Sequence, residues 1–139
     1  MITWAILPVK GYSVGKSRLR HLFSEIEIAE LNRQLFESTF TKIQEAPGID
    51  KILVVSREAS ALDWCQIHGG IALLEEEPST LNAAISKAQK VVCEAGGGRT
   101  MVLPSDLPLM TLKDLSKLIR LADGERKLVI VPDHYQSGT

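Results

Sequence analysis

Ile2-Thr3-Trp4-Ala5-Ile6-Leu7-Pro8-Val9 is an apolar run that breaks into Lys10-Gly11-Tyr12-Ser13-Val14-Gly15-Lys16-Ser17-Arg18-Leu19. Ile2 to Leu7 reads as a first strand, and the loop behind it looks like a phosphate-binding P-loop that misses by one residue. The Walker pattern sets four residues between its first glycine and its Gly-Lys-Ser/Thr, whereas Gly11 and Gly15 enclose three. Such a loop curls backbone N–H groups around phosphates at a fixed radius, so one missing residue spoils the cradle. Two lysines and an arginine remain, on a loop directly after a strand. They would meet a nucleotide or a phospho-ester through side chains more than through a backbone nest. On charge alone an exposed basic turn fits equally well.

Outward from this stretch, short apolar runs alternate with amphipathic ones. Ser24 is expected to cap a long helix, with Glu27 as its capping-box partner. Ile28, Leu31, Leu35 and Ile43 recur there at helical intervals beside Phe36 and Phe40, and Pro47-Gly48 closes the helix. Lys51-Ile52-Leu53-Val54-Val55-Ser56 reads as a buried second strand. Residues 58–68 read as a short helix, which Gly69-Gly70 turns into a strand over 71–74. Ser79 is expected to cap the next helix, through Leu81, Ala84, Ile85, Ala88 and Val92, which Gly96-Gly97-Gly98 stops. Thr100-Met101-Val102-Leu103-Pro104 is a fourth strand, Thr111 caps a helix to about Ala122, and Leu128-Val129-Ile130-Val131 is a fifth strand.

Strands alternating with helices of this length predict a mostly parallel sheet covered on both faces. The expectation is therefore one doubly wound α/β domain over residues 1–139, a three-layer αβα sandwich without repeats or linkers. Ligands of such folds sit beyond the carboxyl ends of the strands. That rule gathers four loops on one rim: Lys10 to Lys16, Ser56-Arg57, Pro104 to Pro108, and Pro132-Asp133-His134.

Bulk properties exclude several classes. At 139 residues with 45% hydrophobic residues the chain is long enough for a real core. A net charge of −1 writes no general attraction to nucleic acid or membrane into the molecule. No apolar run approaches the length of a membrane span, and the amino terminus has no signal-peptide pattern. Cys65 and Cys93 lie on predicted helices without metal-ligand spacing. They read as reduced thiols of a cytoplasmic protein.

Asp106 stands out among candidate functional residues. It follows a buried strand and lies between Pro104 and Pro108, which stiffen its loop. A carboxylate held at a strand end suits Mg²⁺, which commonly takes one or two carboxylates plus substrate phosphates. A carboxylate capping its own turn is the competing reading. Lys10 and Lys16 would stabilise charge on phosphate oxygens, and Arg18 could grip a phosphate or carboxylate with two hydrogen bonds. Asn82 sits in the first turn of an otherwise apolar helix. Its carboxamide offers the donor and acceptor that reading a base edge requires, although a local hydrogen bond near the helix start explains it too. His21, His68 and His134 have no metal spacing, no Ser-His-Asp or Cys-His set is present, and Glu75-Glu76-Glu77 reads as a solvated loop.

Taken together, several of these segments resemble one family. Pro8-Val9-Lys10 with Gly15-Lys16-Ser17-Arg18-Leu19 is similar to the opening signature of the 2-phospho-L-lactate guanylyltransferases. Leu81-Asn82-Ala83-Ala84 is similar to that family's helix start, and Leu103-Pro104-Ser105-Asp106-Leu107-Pro108 to its "L-P-x-D-L-P" loop. Pro132-Asp133 with Ser137-Gly138-Thr139 resembles its "P-D … G-G-T". The resemblance implies a nucleotide-diphospho-sugar transferase-like fold. It also implies a Mg²⁺-dependent transfer of GMP from GTP to a phosphorylated three-carbon acid, with release of pyrophosphate, in the biosynthesis of coenzyme F-420. The acid is 2-phospho-L-lactate, phosphoenolpyruvate or 3-phosphoglycerate. By resemblance Asp106 binds Mg²⁺, Lys16 and Thr139 hold the acceptor acid, Lys10 and Arg18 contact phosphates, and Asn82 lies near the guanine. Thr80 stands where the family usually has a glycine. The family also continues past the Gly-Thr into a further metal pair, so the expectation is a chain lacking its C-terminal third.

Two rivals accompany this reading. One is a non-catalytic domain of the same fold that binds nucleotide or a partner. The other is a relative that transfers a different nucleotide to a sugar phosphate or molybdopterin. Those relatives open on a glycine-rich loop, which Pro8-Val9-Lys10 is not. A shortened sheet would expose an apolar edge, so self-association is a further expectation.

Overall fold

The computed structural model describes residues 2–12, 21–76, 80–105 and 111–121. Four parallel strands, β1 (Thr3–Val9), β2 (Lys51–Ser56), β3 (Ile71–Leu74) and β4 (Arg99–Val102), form one sheet in the order β3-β2-β1-β4. The helices are α1 (Glu25–Glu45), α2 (Ala59–Ile67), α3 (Leu81–Glu94) and α4 (Leu112–Leu121). The α/β alternation predicts this layout, and the expected fifth strand at 128–131 lies outside the described residues.

Side chains of successive strand residues point to opposite faces, and that rule sorts the core into two layers. Ala5, Leu7, Val9, Ile52 and Val54 face Phe36, Phe40 and Ile43 of α1, Ala61 and Cys65 of α2, and Leu115 of α4. Trp4, Ile6, Leu53 and Val55 face Ala84, Ala88 and Val92 of α3. Strands buried on both faces read as continuous apolar runs, which is why β1 and β2 show no polar alternation. The first two crossovers move the chain from β1 to β2 to β3. The third carries it back past β1 to β4, and right-handed crossovers require its helix on the other face. The order therefore reverses beside β1, the position where open α/β sheets leave a crevice for ligands.

Local signals account for the element ends. Ser24 and Glu27 form the expected capping box, with Glu27 N–H donating to Ser24 Oγ (3.2 Å) and Ser24 N–H to Glu27 Oε1 (3.0 Å). Thr111 and Asp114 exchange the same pair of bonds at 3.1 and 3.0 Å. Gly70 enters β3 against the core, where a Cβ would lie 2.4 Å from Cys65 Sγ.

Four expectations shift. The cap of α3 is Thr80, not Ser79: Thr80 has extended backbone and its Oγ1 accepts the Ala83 N–H at 3.1 Å. β1 runs to Val9, two residues beyond the expected Leu7. Pro8 is tolerated in this central strand because β4 pairs only as far as Ile6, so its missing N–H falls beyond that ladder. β4 begins at Arg99 and ends at Val102, short of Pro104; the Leu103 N–H donates to Ile6 O at 3.0 Å, and pairing goes no further among the described residues. On α1 the buried stripe uses Thr39 where Leu31 and Leu35 are only half-buried. No described helix is long and apolar enough to cross a membrane. Cys65 and Cys93 form no disulfide.

Candidate functional site

Parallel strands end together, so the carboxyl rim collects the residues that follow β1, β2 and β4. Lys10 follows β1 and is exposed; Arg57 follows β2 and is exposed. Val9 and Ser56 are partners in the β1–β2 register, so Lys10 and Arg57 are the next residues of adjacent strands. Neighbouring strands run about 4.8 Å apart, which brings two cationic residues together on the rim. Helix α3 starts where β3 ends and returns to the amino end of β4, so its first turn, with Asn82 exposed in it, stands at the same end of the sheet. Leu103, Pro104 and Ser105 complete the rim after β4.

The chain after β1 is tied down by a network of hydrogen bonds. Ser56, 1% exposed, donates from Oγ to Val9 O at 2.7 Å and accepts the Glu58 N–H at 2.9 Å. Glu58 Oε1 accepts the Tyr12 N–H at 3.1 Å, and Asn32 Nδ2 of α1 donates to Tyr12 O at 2.6 Å. The Tyr12 ring is 7% exposed and packs near Phe36, centroids 6.5 Å apart. Burial raises the Tyr12 phenol well above the usual tyrosine range, and the Glu37 and Glu58 carboxylates add to this against Arg33. Burial of its ring and the two backbone hydrogen bonds make Tyr12 an anchor for this segment.

Of the sequence-predicted site residues, the structure brings Lys10 and Asn82 to the common rim. Lys16, Arg18, Asp106 and Thr139 lie outside the described residues. Thr80 supplies the side-chain cap at the start of α3, so the local-bond reading of Asn82 is already filled by its neighbour. Among the described residues no three His, Cys, Asp or Glu side chains are placed to hold a metal ion. The Glu58 carboxylate is engaged by Tyr12, and Asp106 is the next residue after the rim segment Pro104-Ser105. A cavity of about 320 Å³ lies at the opposite, amino end of the strands, between Gln44, Asp50, Lys51 and Gly69, away from these groups. Sequence reasoning put Ser56 on the rim without a role and did not single out Tyr12, Glu58 or Asn32. The local hints were residues that fit their own elements poorly, first among them a polar Ser56 closing an apolar strand.

Comparison with known proteins identifies what the chain is similar to. The family described as "Guanylyl transferase CofC like" matches residues 3–139. A phosphoenolpyruvate guanylyltransferase of Rubrobacter xylanophilus is 32% identical over 139 residues, covering 100% of this chain and 67% of that protein. A 2-phospho-L-lactate guanylyltransferase of Methanothermobacter thermautotrophicus is 30% identical over 132 residues, covering 95% of this chain and 57% of that protein. The chain thus spans between 57% and 67% of the length of these two relatives. Among solved structures, a nucleotidyl transferase from a Methanothermobacter species superposes with a TM-score of 0.67 at 18% identity, over 88% of this chain and 59% of that one. A CMP:2-keto-3-deoxy-manno-octonic acid synthetase complexed with CTP gives 0.60 at 14% identity, over 86% of this chain and 46% of that one. At such identities the likeness is one of fold, a nucleotidyltransferase-type parallel sheet. With the family match over nearly its whole length, the chain belongs to the CofC-like guanylyl transferase family.

Proposed function

We propose that the chain carries the nucleotide-binding rim of a guanylyltransferase that joins GMP from GTP to a phosphorylated three-carbon acid, in coenzyme F-420 biosynthesis. The observation that supports the reading is that Lys10, just after β1, and Asn82, in the first turn of α3, lie at the same carboxyl end of the sheet in a member of this family. A phosphate oxygen of the acceptor attacks the α-phosphorus of GTP in line. The bond from that phosphorus to the bridging oxygen breaks, and pyrophosphate leaves with the electron pair. Lys10 and Lys16 offset charge growing on the phosphates, with Arg18 as a further phosphate contact, and this counts for more in a site that excludes water. Lys16 and Thr139 orient the acceptor acid, and the Asn82 carboxamide reads the guanine edge. Asp106 would hold Mg²⁺, which would supply charge neutralisation and Lewis-acid polarisation at the phosphates.

Pyrophosphate release by the purified chain with GTP, Mg²⁺ and each of the three acids tests this. Turnover with one acid and its loss on Asp106→Ala are the expected results. Turnover unaffected by Asp106→Ala removes that residue from the chemistry, and equal turnover with CTP or UTP removes the guanine assignment. The alternative is a domain that binds nucleotide without turning it over. GTP binding with no pyrophosphate release from any acid selects that one.

A further inference from the structure

Lys10 and Gly11 form a short arch between two fixed feet. One foot is Val9, whose carbonyl is held by Ser56 Oγ at 2.7 Å. The other is Tyr12, held through its N–H by Glu58 Oε1 at 3.1 Å and through its C=O by Asn32 Nδ2 at 2.6 Å. The Glu58 N–H donates to the same Ser56 Oγ at 2.9 Å, so the two feet are joined. From Val9 the bonds pass through Ser56 to Glu58 and back to Tyr12, closing a ring around the arch. A second observation concerns Glu58 alone. It occupies the cap position of α2, yet its side chain makes no cap hydrogen bond. That position favours Ser, Thr, Asp or Asn, and at Glu58 only the backbone carbonyl receives the first N–H groups of α2, from Ala61 and Leu62. Its carboxylate is turned instead to an amide 46 residues earlier in the chain.

We propose that Glu58 is a positioning residue for Lys10: its carboxylate, by accepting the Tyr12 N–H, fixes the height and direction at which Lys10 leaves the sheet toward the phosphates of the nucleotide. The inference rests on the reading of Lys10 as a phosphate contact. A hydrogen bond to an ionised acceptor is stronger than a neutral one. The bond also occupies a carboxylate that would otherwise stand close to an incoming triphosphate.

The test compares Glu58→Ala, which removes the acceptor, with Glu58→Gln, which keeps an oxygen for Tyr12. Amide hydrogen exchange at Tyr12 and steady-state kinetics with GTP are the two readouts. A misplaced Lys10 grips the phosphates less well in bound GTP and in the transition state alike, so we expect Glu58→Ala to raise the KM for GTP by about tenfold. The kcat and the KM for the acid should stay within about twofold, and Glu58→Gln should restore the KM. Exchange at Tyr12 should accelerate in Glu58→Ala and stay near the parent rate in Glu58→Gln. A glutamate with only a structural role would lower the amount of active protein, hence the apparent kcat, and leave the KM for GTP alone. Unchanged Tyr12 protection in Glu58→Ala, or the same KM in both variants, overturns the proposal. If the parent chain turns over no GTP, the guanylyltransferase reading fails on that result. Tyr12 exchange then still decides whether Glu58 holds the arch, and unchanged exchange refutes it.

Discussion

Ser56→Ala is the substitution whose cost can be worked most directly. The serine is 1% exposed, and alanine fits the space it leaves, so overpacking plays no part. The loss is polar. Val9 O loses a donor at 2.7 Å, and the Glu58 N–H loses its acceptor at 2.9 Å. Each intramolecular hydrogen bond is worth roughly 1 kcal/mol net, and a buried group stranded without a partner costs about 1–3 kcal/mol. Val9 is buried and sits toward the upper part of that range. Glu58 is half-buried, so water can reach it and its share is smaller. Together they give a destabilisation of about 2–3 kcal/mol. For a domain of this size the urea m-value is about 1.5–2 kcal/mol/M, so the midpoint should fall by about 1–2 M with m unchanged. Trp4 packs in the α3 layer and Trp64 against the α1–α2 layer, so intrinsic fluorescence reports on both sides of the sheet. Coincidence of the fluorescence transition with circular dichroism checks that unfolding is two-state. A midpoint shift under about 0.3 M, within the error of such extrapolations, would refute the claim that Ser56 ties the β1 and β2 termini together.

The other expectations are independent of one another. Gly70→Ala places a Cβ 2.4 Å from Cys65 Sγ and 2.9 Å from the Phe40 ring. Overpacking of that kind costs about 3 kcal/mol and should lower the thermal midpoint by about 10 °C. Gly96→Ala, with φ +80 and nothing within 4 Å, should cost about 1 kcal/mol from the left-handed backbone alone. If calorimetry finds the two equal, the packing around Gly70 is misjudged. Burial pushes the Cys65 thiol up to about 11, whereas an unfolded thiol titrates near 8.5. Between those values the unfolded chain binds fewer protons, so stability is full below pH about 8.5 and falls by up to about 3–3.5 kcal/mol as pH rises through 11. Denaturation across pH 8–11 should show that extra slope in the parent and not in Cys65→Ala. Thiol titration with an aromatic disulfide should find Cys93 in the native protein and Cys65 only in denaturant; two fast thiols in the native state would contradict the packing of α2. Thr80→Ala should cost about 1 kcal/mol and Thr80→Gly only a few tenths, as measured by urea unfolding, if Thr80 is the cap.

What the sequence makes legible is what short-range physics decides. The capping pairs Ser24–Glu27 and Thr111–Asp114 are visible because each needs two residues three apart. β1 and β2 are visible because burial on both faces leaves uninterrupted apolar runs, as at residues 52–55 inside β2. Choosing between Ser79 and Thr80 as the cap of α3 is harder. Both are hydroxyl residues, and the choice depends on which backbone is extended and which oxygen meets the Ala83 N–H. Lys10 is legible as a rim residue because it follows a strand, whereas Asn82 is singled out by its carboxamide in an apolar first turn and only the folded topology puts it at the same end of the sheet.

The ring around Lys10 belongs to a different class. Its bonds join Val9 to Ser56 across 47 residues, Tyr12 to Glu58 across 46, and Tyr12 to Asn32 across 20, and no periodicity or spacing encodes such pairs. Even so, each member departs slightly from what its own element would select. Ser56 is a polar residue closing an apolar strand, Tyr12 an aromatic residue in a glycine-bearing basic loop, and Glu58 a poor cap at a cap position. Local preference and tertiary need disagree at all three, and such conflicts concentrate where a fold holds a working group in place. Single misfits of this kind are common and carry little weight. Three that converge through hydrogen bonds on one exposed lysine, at the edge where the sheet reverses its order, give a physical reason to look for the nucleotide's phosphates there.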